Sequence, residues 1–222
     1  RSALSTQPRF QQPEFDWNVE SFSTAFTDYG SQFSRSFIFA GLATMLAFAI
    51  GYPLAYTIAA YGGRWKDLLI GLVVIPFFTS YLIRTIAWQS ILADQGWVVR
   101  AINTLGLDGV LEALNIMQNG KLLNTPAAVV GGLTYNFLPF MVLPIYVSLE
   151  KIDVRLMDAA ADLYSSFRRT FSKVILPLSL PGVFAGTLLT FIPAAGDFIN
   201  AEFLGDPESK KVIGNAVRIQ FL

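Results

Sequence analysis

Asp197 and Glu202 are carboxylates set in or beside a long apolar run, Pro181 to Leu204. Lipid is a poor host for charge, so acids in such places face a cavity or a partner. Arg84 is a cation in a similar setting, with Tyr81 and Trp88 beside it in another apolar run. Three uses of these charges are open: contact with a solute crossing the membrane, an ion pair between Arg84 and Asp197 or Glu202, or exposure at the membrane interface. A paired-carboxylate enzyme is disfavoured, because Asp197 and Glu202 are five residues apart and do not share one helical face. The chain has no histidine and no cysteine, which removes catalytic triads built on histidine, histidine proton relays, disulfides and the usual zinc ligands. No Gly-x-x-x-x-Gly-Lys-Ser/Thr phosphate loop occurs, so ATP hydrolysis is not expected on this chain. Neither catalytic residues nor metal ligands are expected.

The second constellation is a polar, basic stretch, 150–180, between apolar segments. Val154, Met157, Ala161 and Tyr164 recur with helical spacing. Asp158 falls near the helix start, where negative charge is favoured. A further short helix is expected from Ser165 or Ser166 to Leu176, ending before Pro177 because the residue preceding proline resists helical geometry. Ala159 and Ala160 leave a shallow surface onto which a partner can pack. A charged loop of this length between spans reads as a docking surface; the alternative is a basic amphipathic loop resting on lipid headgroups.

The elements that must position these residues follow from composition. Hydrophobic residues make up 53%, mean hydropathy is +0.49, and charged residues are 14% against about 25% in soluble domains. Four runs exceed the about 20 residues that cross a bilayer: Ser36–Ala60, Leu68–Leu92, Thr125–Leu149 and Pro181–Leu204. The fold class is all-α, a polytopic transmembrane helical bundle in one domain, 1–222. Lys/Arg-rich connections at Tyr61–Lys66 and after Leu149 set the cytoplasmic side, and balanced charge gives no reason to expect nucleic acid. The N-terminal segment 1–35, with Trp17 and Phe22, reads as an outer interfacial segment on membrane lipid. In the outer loop, Val98–Leu105 and Gly109–Met117 are apolar enough to lie on the bilayer or cap the bundle. Ala43, Ala47, Gly51, Ala55 and Ala59 form a small-residue stripe that lets another backbone approach closely. Prolines 53, 76, 139, 144 and 193 predict kinks.

The docking stretch also resembles the cytoplasmic coupling motif of ABC importer permeases, Glu-Ala-Ala followed downstream by Gly and then by Ile-x-Leu-Pro. Asp158-Ala159-Ala160 stand for the first part, then Asp162-Leu163 and Tyr164 at the Gly position, then Val174, Leu176 and Pro177. Tyr164 departs from the pattern, since a left-handed turn is cheap for Gly and not for Tyr. The resemblance implies the type I importer permease architecture with six spans per subunit, four of them visible here and the first and last missing. It also implies docking on two ATPase subunits that carry ATP and Mg, a second permease subunit, an extracytoplasmic substrate-binding protein, and the bacterial inner membrane; no cofactor is expected in this chain. Phe191 to Asn200, Leu204-Gly205, the tail around Ile213-Gly214-Asn215, and Tyr81-Leu82-Ile83-Arg84 with Trp88 are similar to the spermidine/putrescine branch. Polyamine translocation past Asp197, Glu202, Arg84, Tyr81 and Trp88 is then expected. A permease for another small solute and an ion-coupled secondary transporter are the alternatives.

Overall fold

The computed structural model describes residues 20–114, 116–153, 155–156, 160, 162, 165–206 and 212–215, with side chains from residue 29 onward. The described residues are helical, with no strand among them. Helix α1 runs Glu20–Tyr61, α2 Lys66–Val74, α3 Tyr81–Leu92, α4 Trp97–Thr104, α5 Asp108–Ala113 and α6 Pro126–Glu150. Helix α7 is continuous from Phe167 to Gly196, and α8 covers Ile199–Leu204.

The bundle is built around α6, which packs against both α1 and α7. Thr125 starts α6 by accepting the Ala128 N–H at 3.1 Å, and Pro126 fills the first turn, where its missing N–H goes unused. The small stripe of α1 supplies the close approach it promised: Ala43, Ala47 and Ala55 are fully buried, and Gly51 lies against Met141 and Val142. On the other side, Gly182 of α7 lies against the Pro144 carbonyl and Ser148, and Gly186 against Met141. A Cβ at Gly182 would overlap backbone, so Gly182→Ala should lower Tm of the purified protein by at least about 4 °C. Gly41→Ala, with open space around it, should leave Tm unchanged, and equal shifts in the two variants would sink this packing assignment.

The basic connections meet at one end of the bundle. Lys66 Nζ lies 3.8 Å from Glu150 Oε1, and Tyr146 donates to the same carboxylate oxygen at 2.7 Å. This is the shared side that the Lys/Arg distribution implies.

Three sequence expectations change. The run Leu68–Leu92 is not one straight span: it breaks between Phe78 and Tyr81, and the two parts are bent by 94°. Pro76 removes an N–H, the chain tightens into a 3-10 turn at Ile75–Phe78, and Thr79 and Ser80 are extended. Second, no separate helix ends before Pro177; α7 runs straight through it. A π turn at Phe171–Ile175, in which the Leu176 N–H reaches the Phe171 carbonyl, makes room for the proline just beyond. The last span therefore begins at Phe167 rather than Pro181, and ends at Gly196 rather than Leu204. Third, residues 20–35 of the expected interfacial segment continue the same helix as the first span, while 1–19 lie outside the described residues.

A candidate translocation site where two helices break

The break before Tyr81 and the break after Gly196 come together in space. Asp197 ends α7 in an extended conformation, and its Oδ1 accepts the Asn200 N–H at 2.8 Å, which caps the first turn of α8. Its other oxygen, Oδ2, accepts the Tyr81 O–H, so the first residue of α3 is tied to the last break of α7. Asn200 is fully buried and donates from Nδ2 to Tyr81 Oη at 2.5 Å. Asn136 of α6 donates to Asn200 Oδ1 at 3.2 Å and to Thr85 Oγ1 at 3.5 Å. Thr85 in turn donates to the Tyr81 carbonyl at 3.1 Å. Gly132 makes this possible, because a Cβ there would fall 2.6 Å from Asn200 Oδ1 and 2.5 Å from Leu204 Cδ1. Asn136 lies about 15 Å along α6 from Pro126, in a helix about 37 Å long. The cluster therefore sits near mid-depth, where discontinuous helices in transporters expose polar groups.

Beside it, an open cavity of about 310 Å³ is lined by Thr79, Ile83, Arg84, Ala87, Trp88, Ile91 and Tyr135. Trp88 and Tyr135 meet edge to face at 5.4 Å and form its aromatic wall. Arg84 is buried, with its Cζ 5.0 Å from the Phe77 ring centre and 5.5 Å from that of Tyr81. It makes no ion pair with Asp197 or Glu202, contrary to the pairing that sequence leaves open. Asp197 is held by Tyr81 and Asn200 instead, and Glu202 Oε2 accepts from Asn215 Nδ2 at 3.2 Å. Tyr81, Arg84, Trp88 and Asp197 are thus brought together, and Glu202 is turned toward the tail. Asn136, Asn200 and Thr85 were not foreseen. Their signal was a polar side chain inside an apolar run, which is weak for an amide or a hydroxyl.

Of the residues that resemblance assigns to coupling, Asp158, Ala159, Leu163 and Tyr164 lie outside the described residues. Ala160 and Asp162 are helical, and the Ser165 N–H returns to the Ala160 carbonyl at 3.0 Å, a bond of the type that closes a helix end. Val174, Leu176 and Pro177 belong to α7. Phe167 and Phe171, just before them, pack on Tyr56 at 6.4 and 5.9 Å, and Phe171 also meets Tyr52 at 5.8 Å. Ser179 adds a buried 2.8 Å hydrogen bond to the Tyr52 hydroxyl. The start of α7 is therefore fastened to α1 directly after the stretch that resemblance assigns to coupling.

Known proteins resemble this chain over most of its length. Residues 47–220 match the family described as "Binding-protein-dependent transport system inner membrane component". The chain is 38% identical over 210 residues to the spermidine/putrescine transport system permease protein PotB of Haemophilus influenzae, covering 94% of this chain and 70% of that protein. Identity to PotB of Escherichia coli is 37% over 181 residues, covering 82% of this chain and 62% of that protein. The inner membrane ABC transporter permease protein YdcU of Escherichia coli is 34% identical over 195 residues, with 84% and 60% covered. The chain thus spans between six- and seven-tenths of the length of these relatives. A helical bundle with broken helices at mid-depth, matched over most of its length, belongs to the family of inner-membrane components of binding-protein-dependent transport systems.

Proposed function

We propose that this chain is the membrane-spanning permease subunit of an ATP-driven importer for polyamines of the spermidine/putrescine kind, working in a bacterial inner membrane. The observation that carries this reading is the 38% identity, across 94% of the chain, to a permease bearing that name. The aromatic wall of Trp88 and Tyr135 supports it, since aromatic rings lining the cavity offer an extended polycation cation–π attraction. ATP and Mg belong to two separate ATPase subunits, which dock on the segment containing Ala160 and Asp162. A second permease subunit completes the pathway, and an extracytoplasmic binding protein delivers the solute.

In this mechanism the polar cluster fixes the resting arrangement. Tyr81, Asp197 and Asn200 hold the broken ends of α3 and α7 together, and Asn136 anchors both to α6. Asp197 acts first as a tether, with one oxygen engaged by Tyr81 and the other by Asn200. Movement of the docking stretch reaches the cluster along α7, whose first turns are braced by Tyr52 and Tyr56. The test is uptake by the full-length subunit, reconstituted with its co-purified partners. ATP-dependent accumulation of labelled spermidine, reduced by excess putrescine, is expected. ATP-driven uptake of a different solute, with no spermidine accumulation, would overturn the polyamine assignment and keep the importer. Uptake by this chain alone, without ATPase subunits, would overturn the importer.

A further inference from the structure

Arg84 is only 9% exposed, and its Nε is fully enclosed without a hydrogen-bond partner among the described residues. Its guanidinium keeps its charge at any accessible pH and presents five donors in a rigid fork. The rings of Phe77 and Tyr81 hold the group in place but accept none of those donors conventionally. A buried cation in that state is costly, and the open cavity in front of Arg84 is the route by which an acceptor can reach it.

The surroundings narrow the source. The acids closest to the site, Asp197 and Glu202, are engaged with Tyr81, Asn200 and Asn215. The cavity in front of Arg84 has its rim at Ile83 and Ala87, on the α3 face that also carries exposed Leu82, Ile86 and Ser90. Phe78, 88% exposed, stands beside it at the helix break. A face this apolar is made for contact with lipid tails or protein. Lipid tails would leave the guanidinium against hydrocarbon. Headgroups are too far away, because Arg84 is one helical turn from the mid-depth cluster in a hydrocarbon layer about 30 Å thick.

We propose that this face is covered by the second permease subunit, and that an Asp or Glu on one of its membrane helices enters the cavity and pairs with Arg84. The inference rests on the importer reading. The fork geometry favours two parallel bonds to one carboxylate, and the flanking rings hold the guanidinium plane ready to make them. Pairing also removes the net positive charge that would otherwise repel a polyamine at this point.

The test uses the complete complex. Arg84→Glu should reduce spermidine uptake at least about twentyfold, because it sets two carboxylates against each other. Each acidic residue in the membrane helices of the second permease subunit is then changed singly to Arg in that background. One reversal should restore uptake at least about tenfold, and should itself be defective opposite the original Arg84. Arg84→Gln and Arg84→Lys run in parallel, with Lys expected to retain more uptake than Gln, in case the reversed charge prevents folding. The proposal is overturned if no partner reversal restores function while both permease subunits still co-purify. It also fails if Arg84→Gln transports normally. Co-purification of the two permease subunits does not depend on the solute. Lack of spermidine uptake by the unaltered complex would therefore count against the polyamine reading alone.

Discussion

Ala160→Glu is expected to reduce ATP-driven uptake at least about tenfold and to release the ATPase subunits during purification. Ala160 is half-buried in a helical turn whose end is closed by the Ser165 N–H. A methyl group there leaves room for a partner to pack closely. A glutamate at the same place would carry a carboxylate into a dry contact without an acceptor or a counter-ion. Burying an unpaired polar group costs about 1–3 kcal/mol and a charge more, and about 1.4 kcal/mol is already a factor of ten in binding. The defect is expected in association with the ATPase subunits, and an unchanged Tm of the variant separates it from a folding defect. Ala160→Ser, small and neutral, should retain most of the activity. The measurement is co-purification of ATPase subunits together with uptake in proteoliposomes. Full transport by Ala160→Glu would move the docking surface away from this segment.

The second large effect is expected at the tether. Tyr81→Phe removes the donor to Asp197 Oδ2 and the acceptor for Asn200 Nδ2 in one step. Asp197→Asn keeps the shape but cannot accept from both Tyr81 and the Asn200 N–H with its single oxygen. Each loss leaves a buried group unsatisfied, at about 1–3 kcal/mol. Since the bonds join two broken helices, that energy should shift the balance between pathway states; uptake should fall about tenfold in either variant while assembly persists. If the two side chains act as one unit, the double variant should be little worse than the poorer single variant. Additive losses would mean that Tyr81 and Asp197 act separately. Unchanged uptake in Asp197→Asn would remove that residue from the pathway.

Much of the architecture could be read from residue types alone. The stripe from Ala43 to Ala55 is buried against protein, and α6 spans Pro126–Glu150 almost where hydropathy put it. The two breaks were harder. Leu68 to Leu92 is apolar nearly throughout, and hydropathy measures transfer to lipid rather than straightness. The cue was local: Pro76 followed by the adjacent hydroxyls of Thr79 and Ser80. Pro177 misled in the opposite direction, because a proline's effect depends on whether the preceding turn can widen, and a π turn leaves no clear compositional mark. At the site, charged and aromatic residues drew attention, and Tyr81, Arg84, Trp88 and Asp197 do converge. The amides that organise them, Asn136 and Asn200, are uncharged, and the two lie 64 residues apart in the chain. Pairing over that distance is a product of packing, which no local pattern encodes.

The widened turn at Phe171–Ile175 also bears on how the chain can change length. Such a turn is the form a helix takes when it absorbs one inserted residue, and each residue is worth about 100° of rotation. Loss of a single residue between Thr170 and Leu176 can be taken up by narrowing this turn to an ordinary α turn, leaving both flanking faces in register. The same deletion farther along would swing Gly182 and Gly186 away from α6 and drive side chains into its backbone. The last span thus has one position where a change of length is tolerable, at its junction with the proposed docking segment.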